Sequence, residues 1–463
     1  LFKFLQLLRN ILPPWVPLAG IEGGRINVVP VDYVAAAMDH IAHKRGLNGK
    51  CFHLTSPSPK RVGELLNIFA KAANAPQFAM RIDARMLDIV PRPMRDMIAN
   101  LPPVERIVDG ILKDLGIPRE VWTYVNYPTR FDAREAETAL EGSGIACPAI
   151  EDYAPALWDY WERNLDPDLR RDHTLPGAVR GKVVVVTGAS SGIGKAVAIR
   201  VGAAGAKTIL VARDEERLAE TKREIEAAGG EAYAYSTDLA DGDQCMKLLA
   251  RIFHDHDHVD ILVNNAGKSI RRSVHHSYDR FHDYQRCIEL NYFGSVRLIL
   301  GVLPKMEENG FGHIVNVSSI GVLANVPRFS AYIASKSALD AFTRCARPEY
   351  LDRNIHFTTI NMPLVQTPMI GPTKMYEHVP KLTADEAGDL VCRGLIDRPK
   401  RIATRLGIFA QIMTTIAPQG TDVVLNTAYK LFHDSSAAIG EQRDEQPTAE
   451  AVAFASLMRG VHW

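Results

Sequence analysis

Residues 182–187 read Lys-Val-Val-Val-Val-Thr, and Gly-Ala-Ser-Ser-Gly-Ile-Gly follows at 188–194. An unbroken valine run, with no polar residue at alternate positions, predicts a strand buried on both faces. That requirement excludes a sheet with one wet face and demands helices on either side. Further strands are expected at 208–212, 231–236, 260–264, 313–319 and 355–360. Between the first two of these lies DEERLAETKREIEAAGG, which reads as a helix with acidic residues in its first turn and Gly229 at its end. Strand–helix alternation of this kind implies an α/β domain built on a doubly wound parallel sheet.

The glycines after the valine run have a chemical reading. A pyrophosphate needs backbone N–H donors at close range and a helix N-terminus facing it. Gly188, Gly192 and Gly194 allow that approach, and Ser190, Ser191 and Ile193 complete the turn. Strand before, helix after and a second strand beyond make this the signature of a dinucleotide site. The second strand ends in Ala212-Arg213-Asp214. An acidic residue there would hold the ribose 2′-hydroxyl of NAD, whereas Arg213 would pair with the 2′-phosphate of NADP. The expected cofactor is NADP(H).

Tyr332 and Lys336 lie four apart in SAYIASKSALDAF, a spacing that puts both on one helix face. A phenol near its usual pKa of about 10 is a poor acid at neutral pH, and an adjacent cation is expected to bring it down. Ser319, at the end of its own strand, is placed to donate to a carbonyl oxygen.

Together these residues resemble the short-chain dehydrogenase/reductase family over about 181–400. TGASSGIG resembles its cofactor loop, and Asn264-Asn265-Ala266-Gly267 the segment that steadies the central sheet and lines the adenine side. Asp238-Leu239 resembles the adenine-contacting pair, and Asn291 in IELNYFG the asparagine of the proton relay. The resemblance implies a Rossmann fold and a tetrad of Asn291, Ser319, Tyr332 and Lys336. After the sixth strand the chain departs from the family's Pro-Gly pair and reads Asn361-Met-Pro-Leu-Val-Gln-Thr-Pro-Met369, where Pro363, Val365 and Thr367 are expected to serve the nicotinamide. That run is similar to the bacterial long-chain fatty acyl-CoA reductases, which implies a fatty acyl-CoA or fatty aldehyde substrate. The tetrad alone does not separate thioester reduction from ketone or 3-oxoacyl reduction or from alcohol oxidation.

The first 150 residues differ. INVVPVDYVAAAM and HLTSPSPKRVGELLNIF resemble the C-terminal half of an extended short-chain dehydrogenase of the thioester-reductase kind. Neither a glycine loop nor a Tyr-Lys pair occurs before residue 180, so this part is expected to be a partial extended-type α/β domain without chemistry, in a binding or scaffold role. The expected organisation is 1–150, a helical connector at 151–180, the Rossmann domain at 181–400 and a helical extension at 401–463. Prolines 91, 93, 102 and 103 interrupt the first part. The chain begins with Leu1, so the start of a longer protein is expected before it.

Lys+Arg and Asp+Glu are both 54, a balance that gives no reason to expect a nucleic-acid partner. Six scattered cysteines without a CxxC pair fit a reducing cytoplasm, and Cys287 is expected to be packing. His254, His256 and His258 have no further ligand spacing, and no metal is expected. No sufficiently long uncharged run for a membrane span is apparent. Leu406, Phe409, Met413 and Ile416 form an apolar stripe beside Lys400, Arg401 and Arg405. Core or subunit packing is the first expectation for it; an acyl-chain cover and peripheral membrane contact are the others. The family resemblance implies a homo-oligomer.

Overall fold

In the computed structural model the described residues are 1–22, 24–83, 110, 131–170, 172–370, 380–432 and 434. The chain divides into two compact units, Leu1–Arg171 and Asp172–Trp463.

In the C-terminal unit the valine run becomes β1 (Val183–Thr187). Because side chains alternate along a strand, its valines serve two cores. Val184 and Val186 pack with Val197, Val201 and Val391 on one face, whereas Val183 and Val185 join Ile209, Leu262, Ile299 and Met306 on the other. Each is at most 3% exposed, and full burial of one such side chain contributes roughly 1.5–3 kcal/mol. The remaining strands are β2 (Lys207–Ala212), β3 (Glu231–Ser236), β4 (Ile261–Asn264), β5 (Gly312–Ser319), β6 (Ile355–Met362) and β7 (Arg401–Ala403). They form one seven-stranded sheet in the order β7-β6-β5-β4-β1-β2-β3, parallel at every pairing. The chain thus winds outward in both directions from β1 and β4, the doubly wound pattern expected from the alternation. The crevice beyond the C-terminal ends of those two strands is the switch point where ligands bind in such sheets.

Six strands match the sequence expectation closely. The seventh does not: Arg401–Ala403 lies where the helical extension was expected to start, yet Thr359, Ile360 and Asn361 of β6 pair with it. Three residues after a turn carry too little periodicity to announce a strand; the exposed edge of β6 recruits them.

Helix Phe281–Ile288 runs on through a π-helical segment, Glu289–Gly294, into Ser295–Glu308. Its 28 residues make it long and apolar enough to cross a membrane. Its apolar side chains Leu298, Ile299, Val302, Leu303 and Met306 are buried in the core, which accounts for that composition.

In the N-terminal unit, strand Leu18–Glu22 pairs in parallel with Phe78–Asp83, and Arg25–Ile26 pairs antiparallel with Lys60–Arg61. Helices Phe2–Ile11, Val62–Ala72 and Ile150–Tyr160 enclose a core of Leu5, Phe69, Ala70, Ile150, Ala154 and Trp158. Phe2 meets Phe69 and Trp158 edge-on at 4.8 and 5.6 Å. The helix read from sequence as connector is therefore a core element of this unit. The prolines at 91, 93, 102 and 103 lie outside the described residues, as do 435–463 of the expected extension.

Candidate active site at the switch point

The loop after β1 is shaped by contacts that leave no room for side chains. Gly188 has φ +68°, and a Cβ there would stand 2.9 Å from Asn265 Nδ2 and 3.0 Å from Ala266 Cα. At Gly194 a Cβ would lie 2.2 Å from the Gly188 carbonyl oxygen, so only glycine lets helix Gly192–Ala203 start so close to the strand. Thr187 ties the neighbouring segment to this turn. Its Oγ accepts from the N–H groups of Asn265 (2.9 Å) and Ala266 (3.0 Å), while Asn265 Nδ2 donates to the Thr187 carbonyl at 2.9 Å. Below them Asn264 Nδ2 donates to Asn316 Oδ1, and Asn316 Nδ2 to Thr343 Oγ, both at 2.9 Å. These buried bonds fasten β4 to β5 and to helix Ser330–Glu349.

A cavity of about 1180 Å³ opens over the ends of the strands. Of the residues expected from sequence to bind cofactor or transfer protons, all line it except Gly194 and Asn291. Gly194 packs the helix on the strand. Asn291 is fully buried in the π-helical segment. Its Oδ1 accepts from the Lys268 N–H at 2.8 Å, and its Nδ2 donates to the Lys268 carbonyl (2.9 Å) and to Ser335 Oγ (2.8 Å). Ser335 in turn donates to the Tyr332 carbonyl at 2.7 Å. One asparagine therefore holds the loop after β4 against the helix that carries Tyr332.

Lys336 is 3% exposed, and its Nζ donates to the Val317 carbonyl at 2.7 Å. Burial lowers its pKa to about 8, with the carboxylate of Asp340 pulling the other way. Tyr332 is half-buried. Burial pushes its phenol above the ordinary value, and a hydrogen bond with Ser319 opposes the rise. The sequence expectation that Lys336 would draw the phenol down is corrected here: desolvation prevails, and Ser319 supplies the opposing pull. Cys287 is fully buried, and desolvation raises its thiol to about 11, so it stays protonated and packs.

Arg213 is exposed at the end of β2 and lines the cavity. Asp214, the acidic residue beside it, is engaged elsewhere. Its Oδ1 accepts the Arg217 N–H at 3.1 Å and caps helix Glu215–Ala227, and its Oδ2 lies 3.3 Å from Arg217 Nε. Burial, and then the nearby charges of Arg286 and Arg213, lower the pKa of Lys268. Asp238 is fixed by its own turn, with its Oδ1 accepting from Ala240 N–H at 3.0 Å. Leu239, next to it, is buried at 5% exposure.

The segment after β6 holds its course without the family's glycine. No residue of 362–369 has positive φ. Val365 bridges to Leu382, with Gln366 N–H donating to the Leu382 carbonyl at 2.7 Å and Leu382 N–H to the Leu364 carbonyl at 2.8 Å. Thr367 Cγ2 would be 3.0 Å from a Cβ on Gly192, so this strand-like segment closes over the glycine loop, with Pro363 on the cavity wall.

Three residues of the site carried no signal strong enough to find from sequence: Lys268, Ser335 and Asp340. Asp340 lies one turn beyond Lys336 and is 2% exposed. Asn361 Nδ2 approaches its Oδ2 and the Ser319 carbonyl, each at 3.3 Å. The Tyr-to-Lys spacing extended by one more turn would have pointed to it. The histidines before β4 are engaged locally: His254 with Asp255 (2.9 Å), His256 with the Tyr235 hydroxyl (3.0 Å) and His258 with Asp260 (3.3 Å).

A family model for the short chain dehydrogenases matches residues 182–377. The chain is 52% identical over 285 residues to a fatty acyl-CoA reductase of Acinetobacter baylyi, covering 62% of this chain and 96% of the relative. It is 40% identical over 258 residues to a fatty acyl-CoA reductase of Mycobacterium tuberculosis, covering 56% and 88%. Among solved structures, a metagenomic short-chain oxidoreductase in complex with NADP is 29% identical, covers 49% of this chain and 99% of its own, and superposes with a TM-score of 0.42. Joined to the sheet order, the glycine turn and the Asn291–Ser319–Tyr332–Lys336 constellation, the family model and the two reductase relatives show that the chain belongs to the short-chain dehydrogenase family.

Proposed function

We propose that the C-terminal unit reduces a long-chain fatty acyl-CoA to the fatty aldehyde with NADPH. The carrying observation is the continuity of one cavity from the glycine turn, past Ser319 and Tyr332, into an apolar compartment. The names of its relatives in Acinetobacter baylyi and Mycobacterium tuberculosis point the same way.

The residues fit a dinucleotide. The turn at Gly188 and Gly192 has positive φ and no space for a Cβ, and helix Gly192–Ala203 presents its N-terminus there. With Asp214 engaged as a helix cap, exposed Arg213 is the residue at the end of β2 that can meet a 2′-phosphate. Asp238, Leu239, Asn265, Ala266 and Gly267 would line the adenine and ribose side, and Pro363, Val365 and Thr367 the nicotinamide side. When bound, the cofactor supplies the hydride.

Ser319 and Tyr332 would both donate hydrogen bonds to the thioester oxygen, where negative charge grows. Tyr332 holds the proton to be given up, because burial keeps its phenol neutral. Lys336, a cation below about pH 8, compensates the phenolate that remains. Asn291 fixes the register of that helix against the loop after β4. One hydride and one proton enter the thioester, and the aldehyde and the coenzyme A thiol leave. Among the described residues, no step calls on a cysteine.

Following NADPH oxidation with hexadecanoyl-CoA, a 3-oxoacyl thioester and hexadecanal tests this reading. Turnover of hexadecanoyl-CoA with release of coenzyme A thiol is the expected result. Turnover of the 3-oxoacyl thioester alone would assign ketone reduction, and turnover of hexadecanal alone would assign the aldehyde–alcohol step. Finer partners are part of the same reading: association into a homo-oligomer, cytoplasmic placement, and a lipid surface against the exposed Ile408, Ile412 and Ile416 beside Arg401 and Arg405. The N-terminal unit is assigned a binding or scaffold role.

A further inference from the structure

Beyond β7 the chain forms two helices, Arg405–Ile416 and Pro418–Leu431. They are half-buried along one side and expose large apolar residues along the other. Their inner side, including Leu406, Met413, Leu425, Tyr429 and Phe432, lines the same cavity as Ser319 and Tyr332. A helical pair that served only to cover the sheet would have no reason to keep such a space beneath it.

Both ends of this pair are fastened, and to the two segments that carry the proton-transfer residues. At the start, Thr404 caps the first helix by accepting the Gly407 N–H at 3.1 Å. A Cβ on Gly407 would stand 3.0 Å from both Ile320 and Leu323, so glycine lets the helix rest directly on the turn after Ser319. At the far end, Asp434 Oδ1 lies 3.1 Å from Arg328 Nε, with both side chains 6% exposed, and accepts the Ser273 N–H at 3.1 Å. The Arg328 guanidinium lies 4.0 Å from the centre of the Tyr429 ring. Arg328 stands just before helix Ser330–Glu349, has φ +72°, and its carbonyl accepts the Arg272 N–H at 2.7 Å. An arginine in the left-handed region is uncommon, and three separate groups hold it there.

We propose that the helical pair 405–431 is the wall that receives the acyl chain, and that the buried Arg328–Asp434 pair latches it over the cavity and so sets chain-length selectivity. The inference rests on the fatty acyl reading above. Its physical basis is simple. Each methylene buried against a fixed apolar wall adds affinity, up to about tenfold for every two. A wall whose far end is loose offers water as an alternative and loses that increment. An unpaired buried charge at the latch favours local opening of the helical pair over unfolding of the sheet.

The test measures binding separately from turnover. Parinaric acid, a fluorescent long-chain fatty acid, is bound to the full chain with NADPH present and displaced by octanoic, dodecanoic and hexadecanoic acids. In the unaltered protein affinity should climb steeply with length. Asp434→Asn should flatten the climb to about twofold per two methylenes. Leu425→Trp, which fills the wall without touching the latch, should stop it beyond dodecanoic acid. Val423→Trp, on the exposed side of the same helix, should leave it intact. Circular dichroism reports whether each variant is folded. The same length profile in folded Asp434→Asn and Leu425→Trp as in the unaltered chain, or no length dependence in the unaltered chain, overturns the wall and latch. Reduction of hexadecanoyl-CoA is followed in parallel. A responsive profile without that turnover removes the thioester reading and keeps the wall, whereas turnover with an unresponsive profile does the reverse.

Discussion

Each unit of this chain holds a tyrosine whose phenol burial pushes upward: Tyr153 in the N-terminal unit and Tyr332 in the C-terminal unit. Among the described residues the Tyr153 hydroxyl has no hydrogen-bond partner. Among the described residues of that unit, strands occur in two-stranded pairs. Tyr332 sits at the switch point of a seven-stranded sheet, hydrogen-bonded with Ser319 and one turn from a buried lysine. Burial alone therefore makes a phenol harder to ionise in both units. What sets Tyr332 apart is an open cavity in front, a hydroxyl beside it and a cation behind. The parallel sheet supplies all three, because its strands end side by side and deliver residues distant in sequence to one edge.

The largest expected effect tests that contrast directly. Tyr332→Phe should reduce kcat by about a hundred- to ten-thousandfold with little change in NADPH affinity, measured by steady-state kinetics and cofactor titration. Retention of most of the rate would remove Tyr332 as proton donor and leave the two units chemically alike.

Next in size is a core change in the other unit. Trp158 is 4% exposed and packs beside Phe2. Trp158→Ala should lower the stability of Leu1–Arg171 by about 3–5 kcal/mol, read by chemical denaturation, while kcat is unchanged. A loss of kcat at temperatures where the protein stays folded would mean that the N-terminal unit contributes to catalysis.

Arg213→Asp should move the ratio of kcat/KM for NADPH over NADH by roughly ten- to a hundredfold toward NADH, through loss of a charge-assisted hydrogen bond. An unchanged ratio would assign the 2′-phosphate to another residue, with Lys268 the first to examine.

The smallest effect concerns pH. Lys336 is lowered to about 8 by burial, so kcat/KM for NADPH should decline as pH rises through that value and the cation is lost. Tyr332, raised by burial, keeps its proton across the same range. For folding the sign is opposite: between about 8 and the ordinary lysine range the unfolded chain binds more protons, so stability rises with pH there. In Asp340→Asn the carboxylate that supports the cation is gone, and the kinetic limb should shift to lower pH. A limb that stays in place would assign it to another group.

The glycine turn and the Tyr–Lys spacing were legible because their constraints are local. The left-handed Gly188 and a Gly194 whose Cβ would meet backbone at 2.2 Å tolerate only glycine, and two residues four apart share a helix face in any helix. Ser335, Asp340 and Lys268 were not legible. Serine, aspartate and lysine occur everywhere on helices and loops, and only contact with Asn291 or Asn361 gives them a part in the site. The strand at Arg401–Ala403 escaped for a similar reason, since it is too short to show a period and exists because β6 offers an unpaired edge.

The sequence by itself determined a strand buried on both faces, a backbone turn open to phosphate, and a phenol and an amine on one helix face. Those follow from sterics and periodicity within a few residues. The tertiary structure decided that desolvation would outweigh the lysine at Tyr332, and that Asn291 would act from behind the cavity wall. It also decided that Arg328 and Asp434, 106 positions apart in the chain, would meet in a buried pair at the end of the helical roof. Solvation and long-range pairing depend on what the rest of the chain places nearby, and no local pattern encodes that.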